Sequence, residues 1–318
     1  MTRTMSLIRS APGRSTAALV AACLTSCVGG AGVGASAPPP PPPPPPAVAT
    51  ATPGLVSAAA GAGVVRVEFE LSSQGHEAAL FVATERASLY VEPPAAVGLL
   101  GTSMSLEGLT DDVVYFLGLG LRPGPVGDFT PVGAVLSARP GAPIYVDPGA
   151  DPVGADGLTP ATAYADPLLA LIDSFGAGGR NIWLLEGSYA PSSLPVFGGS
   201  HVYGGFAQGF ELEERDPDLN PSTLHGLAGQ ALMAAAGTAG VVLDGLRLSG
   251  DGLASHGVDM DTTPLELRAV VVDGCAQRGV RARAGEDAEA TPVTLTACTL
   301  SNNGAGGFSG LGNLEVWA

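Results

Sequence analysis

Between residues 64 and 71 the chain alternates without a break. Val65, Val67, Phe69 and Leu71 fall on one face, and Arg66, Glu68 and Glu70 on the other. A period of two is the signature of a half-buried strand. The stretches ALFVATE and ASLYVEP predict two more strands. In SLEGLTDDVVYFLGLGL (105–121), Leu106 and Leu109 precede Tyr115, after which Tyr115, Leu117, Leu119 and Leu121 alternate. Residues 61–141 therefore read as a small β-sandwich, with Asp111 and Asp112 in a solvated turn.

From residue 142 the pattern changes. Ile144, Tyr145 and Val146 form a short strand, followed by a loop rich in Asp, Gly and Pro. Asp166-Pro167 reads as a helix N-cap with proline at the first helical position. Leu168, Leu169, Leu171, Ile172 and Phe175 make the helix apolar, and Gly176, Gly178 and Gly179 end it. NIWLLEGSY and HVYGGF are buried strands that stop at glycine. The chain then repeats: VVLDGLRLSGDGLASHGVDM starts at 241, LELRAVVVDGCAQRGVRAR at 265, VTLTACTLSNNGAGGFSGL at 293 and LEVWA at 314. Each unit reads as a strand, a polar turn and a second short strand, which is one coil of a stacked repeat. Such coils stack about 4.8 Å apart, and the first exposes an apolar edge that needs a cover. The short apolar helix supplies it. LEVWA opens a new coil with no visible cap, which predicts a fragment or an end covered by a neighbour. The fold class is thus all-β, a sandwich followed by a parallel coil with a short N-terminal capping helix.

Two resemblances rest on these residues. The Leu106, Leu109 and Tyr115 pattern resembles the tyrosine corner of fibronectin type III domains, although the early tryptophan of that family is missing. Tyr145-Val146-Asp147, the helix after Thr159-Pro160, Glu186-Gly187-Ser188-Tyr189, Val202-Tyr203-Gly204-Gly205-Phe206 and the run Arg215-Asp216-Pro217 to Asn220-Pro221-Ser222-Thr223-Leu224 resemble right-handed parallel β-helix proteins of the pectin-lyase type. That second resemblance implies residues 142–318 as the β-helix, with pectate lyases, polygalacturonases and epimerases among its relatives. Fold alone does not fix activity.

The first sixty residues carry a different message. Arg3, Arg9 and Arg14, with no acid, precede the apolar run STAALVAACL, which is too short to span a bilayer. Leu24-Thr25-Ser26-Cys27 resembles the bacterial lipobox, which implies a signal peptide over 1–26 and lipid attachment at Cys27. Val28, where some bacteria read a retaining aspartate, implies the outer membrane. Residues 27–60 read as a linker, because nine prolines, Pro38–Pro46, form a stiff extended spacer. The expected location is the cell envelope of an exporting bacterium, with the membrane as a partner through the lipid.

Charge narrows the partners further. The net charge is −16, and without the three N-terminal arginines eleven arginines face thirty acids. Such a surface repels phosphate backbones, so nucleic acid is excluded. The acids at Glu211, Glu213, Glu214, Asp216 and Asp218, around Arg215, read as an excursion loop between coils, with Gly204-Gly205 making the corner. Asp147, Asp151 and Asp156 offer oxygen ligands of the kind calcium takes, but not at EF-hand spacing, so a solvated loop is expected and no cofactor is assigned. Cys275 and Cys298 fall at different depths of their units, which leaves a disulfide open.

No catalytic residue is assigned. Glycoside hydrolysis needs paired carboxylates, and Asp244, Asp251, Asp259, Asp261 and Asp273 mostly fall at turns, where aspartate is expected for backbone reasons. Ser255-His256-Gly257 reads as a turn. Arg247, Arg268, Arg278, Arg281 and Arg283 include none that the spacing singles out as a lyase base. The expected function is surface display for binding or adhesion, with an extended glycan or cell-wall polymer as ligand. A polysaccharide lyase or hydrolase and a purely structural envelope protein are the alternatives. Carboxylates stacked on one coil face would favour the enzyme and exposed aromatics there the binder, and Tyr189, Tyr203 and Phe206 are too few to decide.

Overall fold

A computed structural model describes residues 53–71, 76–237, 239–283, 291–311 and 314–317. The expected signal segment, Cys27 and the polyproline run lie outside the described residues.

Seven strands come first: β1 (Gly54–Gly61), β2 (Val64–Glu70), β3 (His76–Ala83), β4 (Ala96–Val97), β5 (Ser103–Glu107), β6 (Tyr115–Pro123) and β7 (Thr130–Ala138). They form two antiparallel sheets, ordered β1-β2-β5 and β4-β3-β6-β7. The alternation of β2 buries Val65, Val67 and Phe69, as its period demands. Strand β1 begins inside the segment expected to be linker, because Leu55, Ala58 and Ala60 are small enough to pack against β2 and are fully buried. ASLYVEP is not a strand. A 3-10 turn covers Arg86–Ser88, Leu89 is buried alone and Val91 is 83% exposed. Pro93 and Pro94 remove the donors a ladder would need.

The second half begins with β8 (Ile144–Val146) and the helix α1 (Pro167–Gly176). The Asp166 carboxylate accepts the Leu168 N–H at 2.9 Å, and Pro167 opens the first turn. Five coils follow, each with three strands rather than the two expected. They are β9 (Asn181–Leu185), β10 (Gly187–Ser192) and β11 (Leu194–Phe197); β12 (His201–Phe206), β13 (Ser222–Gly226) and β14 (Ala231–Ala236); β15 (Val241–Asp244), β16 (Leu246–Ser249) and β17 (His256–Asp261); β18 (Leu265–Arg268), β19 (Val271–Asp273) and β20 (Arg278–Arg283); and β21 (Thr291–Thr296), β22 (Thr299–Ser301) and β23 (Phe308–Leu311). A further strand, β24 (Leu314–Trp317), pairs with β21. All pairings in this half are parallel and build three sheets: β8-β9-β12-β15-β18-β21-β24, β10-β13-β16-β19-β22 and β11-β14-β17-β20-β23. This is a parallel β-helix. Val241, Leu265 and Val293 stand in register, as the repeat predicts, and Val293 pairs with Val316 rather than Leu314.

The halves are not beads on a string. One apolar cluster joins Leu55, Val67, Phe69 and Leu119 of the sandwich to Trp183, Leu185, Tyr203 and Phe206 on the outer face of the longest β-helix sheet. Trp183 stacks on Phe206 with ring centroids 4.4 Å apart and donates its indole N–H to the Ala60 carbonyl at 3.0 Å. Beside it lies a charged network whose Asp244, Arg215 and Arg268 side chains are wholly buried and whose Glu266 reaches the rim. Asp244, fully buried, accepts from Ser57 Oγ (2.8 Å), the Ala58 N–H (3.2 Å) and Arg215 Nη2 (2.6 Å), with Arg268 Nη1 at 3.8 Å. Arg268 also pairs with Glu266 and donates to the Ser137 carbonyl. Burial alone would raise the Glu266 carboxyl, but the Arg268 guanidinium outweighs it and holds the carboxyl below its usual range.

Candidate functional site

Two of the three β-helix sheets keep an open face. On the sheet β10-β13-β16-β19-β22, inward Tyr189, Leu224, Leu248, Val272 and Leu300 alternate with outward residues. One outward row runs Ser188, Thr223, Arg247, Val271 and Thr299, each in register with the next. A second row runs His225, Ser249, Asp273 and Ser301. At one coil per strand spacing the first row is about 19 Å long. The first row carries hydroxyls and a guanidinium, and the second adds an imidazole, further hydroxyls and a carboxylate.

This face is bounded by two depressions. The larger, about 610 Å³, lies between the sandwich and the β-helix and is lined by Arg66, Glu68, Glu70, Asp216, Asp218 and Arg247 among others. The smaller, about 470 Å³, is lined by Glu186, Gly187, Ser188, Thr223 and His225. Pro221 lines both, so they adjoin. Burial pushes the Glu68 carboxyl above its usual range. The Arg215 and Arg66 guanidinia oppose the rise, and the Asp244 and Asp216 charges reinforce it. Arg66 Nε is buried without a hydrogen-bond partner, 3.9 Å from the Glu68 carboxylate.

The residues singled out from the sequence scatter. Asp244 and Arg268 belong to the buried junction and cannot meet a ligand. Asp251 turns back to His225 and Ser249. Asp259 lies on the third sheet, where Arg281 Nε donates to it at 2.8 Å and Arg283 Nη2 lies 3.5 Å away. Asp261 is exposed at the end of β17. Asp273 accepts from Ser301 Oγ (3.3 Å) and Asn302 Nδ2 (2.9 Å). Arg247 alone among the five arginines lines the larger depression, and Arg278 donates to the Ala305 carbonyl. His256 is buried, not in an exposed turn, and burial lowers its pKa, with Arg281 adding to the effect. Tyr189, Tyr203 and Phe206 are all buried, so none is a sugar-stacking platform.

In the acidic loop the carboxylates of Glu211, Glu213, Glu214 and Asp218 face solvent, while Arg215 turns inward to Asp244. Asp216 accepts the N–H groups of Asp218 and Leu219, both at 3.0 Å. Asp147, Asp151 and Asp156 likewise accept N–H groups two residues on. Among the described residues no group of three or more His, Cys, Asp or Glu side chains is placed to hold a metal ion, and no helix is long and apolar enough to cross a membrane. Cys275 and Cys298 are free thiols, and burial pushes both up to about 11. Sequence reasoning named Ser188 and Arg215 only as fold markers and passed over His225. The register of the second coil brings Ser188 and His225 together, and contacts across the chain to Ser57 and Asp244 reveal Arg215.

The chain is a parallel β-helix protein carrying an antiparallel two-sheet module. No family model matches it, and no curated protein does. Among solved structures it is similar to a Yersinia enterocolitica family 28 exopolygalacturonase, with 10% identity and a TM-score of 0.32. The match covers 81% of this chain and 66% of that one, just under two thirds of its length.

Proposed function

We propose that the protein is an envelope-anchored module that binds an extended, hydroxyl-rich polymer along the outer face of the β10-β13-β16-β19-β22 sheet. The observation that carries this reading is the registered row from Ser188 to Thr299 opening into the two adjoining depressions. A polymer with a regular repeat matches a surface that repeats, and hydroxyl and guanidinium groups exchange hydrogen bonds with sugar hydroxyls. The lipid on Cys27 and the polyproline spacer would hold this face away from the outer membrane. The sandwich is read as fibronectin type III-like. Its strand order and the hydrogen bond from the Thr110 N–H to the Tyr115 hydroxyl, 3.1 Å, support that. The β-helix is read as right-handed, the hand that parallel crossovers take.

The test is affinity electrophoresis of the mature chain through gels cast with neutral and acidic polysaccharides, with and without calcium. Retardation that Arg247→Ala weakens at least several-fold is the expected result. Equal mobility in every gel would sink the binding reading and leave the structural role.

A further inference from the structure

Two residues of the smaller depression, Ser188 and His225, enter an arrangement that binding does not require. Ser188 on β10, His225 on β13 and Asp251 just after β16 come from three consecutive coils, yet their side chains join in one line. Ser188 Oγ lies 2.8 Å from His225 Nε2, and His225 Nδ1 lies 2.7 Å from Asp251 Oδ2. Ser249 Oγ donates to the other carboxylate oxygen of Asp251 at 2.7 Å. Ser188 is exposed, the His225 side chain is 26% exposed and that of Asp251 44%.

The chemistry follows from donors and acceptors. The Ser249 hydroxyl and then His225 hold the Asp251 carboxyl below its usual range, so it is ionised and can only accept. His225 must therefore carry its proton on Nδ1. In the neutral imidazole that leaves the Nε2 lone pair facing the Ser188 hydroxyl, the tautomer a general base needs. Asp251 sits at φ +50°, a conformation uncommon for a residue with a side chain. Position and backbone both aim the carboxylate at the imidazole. Thr223, in register with Ser188 on the next coil, offers a second hydroxyl beside it.

We propose that Ser188, His225 and Asp251 form a hydrolytic triad that cleaves carboxylic esters, with O-acyl groups on a polymer lying along this face as the substrate class. The last clause rests on the binding reading above; the triad does not. Ser188 Oγ attacks the ester carbonyl carbon while His225 Nε2 takes the hydroxyl proton. The tetrahedral adduct collapses, the bond to the alcohol oxygen breaks, and His225 protonates the departing alkoxide. Water, losing a proton to His225, then attacks the acyl-serine. Ser188 is restored, and one ester plus one water has become an alcohol and a carboxylic acid.

The experiment treats the full-length protein with a fluorophosphonate probe and, separately, with p-nitrophenyl acetate. The wild type becomes labelled at Ser188 and hydrolyses the ester. Ser188→Ala and His225→Ala lose both, with unchanged thermal melts. Asp251→Asn lowers kcat on the order of 10³- to 10⁴-fold at little change in KM, as loss of the orienting carboxylate does in such triads. Ser188→Cys keeps the fold and moves reactivity to iodoacetamide, with His225→Ala in that background slowing it. An unlabelled wild type, or labelling that survives Ser188→Ala, overturns the triad. The polysaccharide gels are run alongside. Retardation without labelling removes the triad and keeps the binding surface, and labelling without retardation does the reverse.

Discussion

Replacing Asp244 by alanine tests the junction directly. Asp244 is wholly buried and faces two guanidinia, Arg215 at 2.6 Å and Arg268 at 3.8 Å, both themselves buried. Four charges, two of each sign when Glu266 is counted, nearly cancel there. Alanine removes one negative charge and strands two cations against a single carboxylate, and it leaves Ser57 Oγ and the Ala58 N–H without an acceptor. Breaking a buried pair in this way costs about 3–5 kcal/mol, a large part of the roughly 5–15 kcal/mol that holds a typical domain folded. The internal control is Asp259→Ala. It removes an Arg–Asp pair from the third sheet, where the Arg281 side chain is 32% exposed and that of Asp259 14%, so water screens part of the pair and its loss costs less than that of the sealed one. Urea denaturation of the wild type and both variants at pH 7 measures the difference. A loss under about 1 kcal/mol for Asp244→Ala, equal to the control, would refute the reasoning. It would mean that water screens the network and that the sandwich does not seal it.

Two further perturbations reach other parts of the chain. Burial, reinforced by Arg268, lowers His201 from 6.5 to about 4, so between those values the unfolded chain binds a proton that the native state refuses. Stability must fall as pH drops through that window, by about 3 kcal/mol in all. Thermal melts at pH 7, 5 and 4 should show His201→Asn losing part of this slope, and an unchanged slope would count against it. Tyr115→Phe deletes the hydrogen bond from the Thr110 N–H and should cost about 1 kcal/mol in urea denaturation; no loss would mean the corner is held by packing alone.

What was legible in the sequence was what a period can encode. The alternation of β2, the leucines and tyrosine of β6, the Asp166 cap and the coil register at Val241, Leu265 and Val293 are local patterns, and each marks an element the structure contains. Pairing across distance was not legible. ASLYVEP has strand composition, but two prolines and a lone buried leucine decide against it. Asp244 reads as one more turn aspartate until Ser57, 187 positions earlier, donates to it. Arg215 disappears among five acids because charge counts do not say which side chain turns inward. The line from Ser188 to His225 spans 37 residues and an irregular loop, so neither motif spacing nor coil period exposes it.

The shared core also bears on inheritance. A boundary near residue 141 looks like a natural crossing point between genes, since one architecture ends and another starts there. A recombinant that kept only the β-helix would present Trp183, Tyr203 and Phe206 to water beside an Arg–Asp cluster missing its Ser57 partner. One that moved the sandwich to a new neighbour would carry Ser57 and Ser137 with nothing to receive. Selection would therefore transmit the two architectures as one indivisible gene segment.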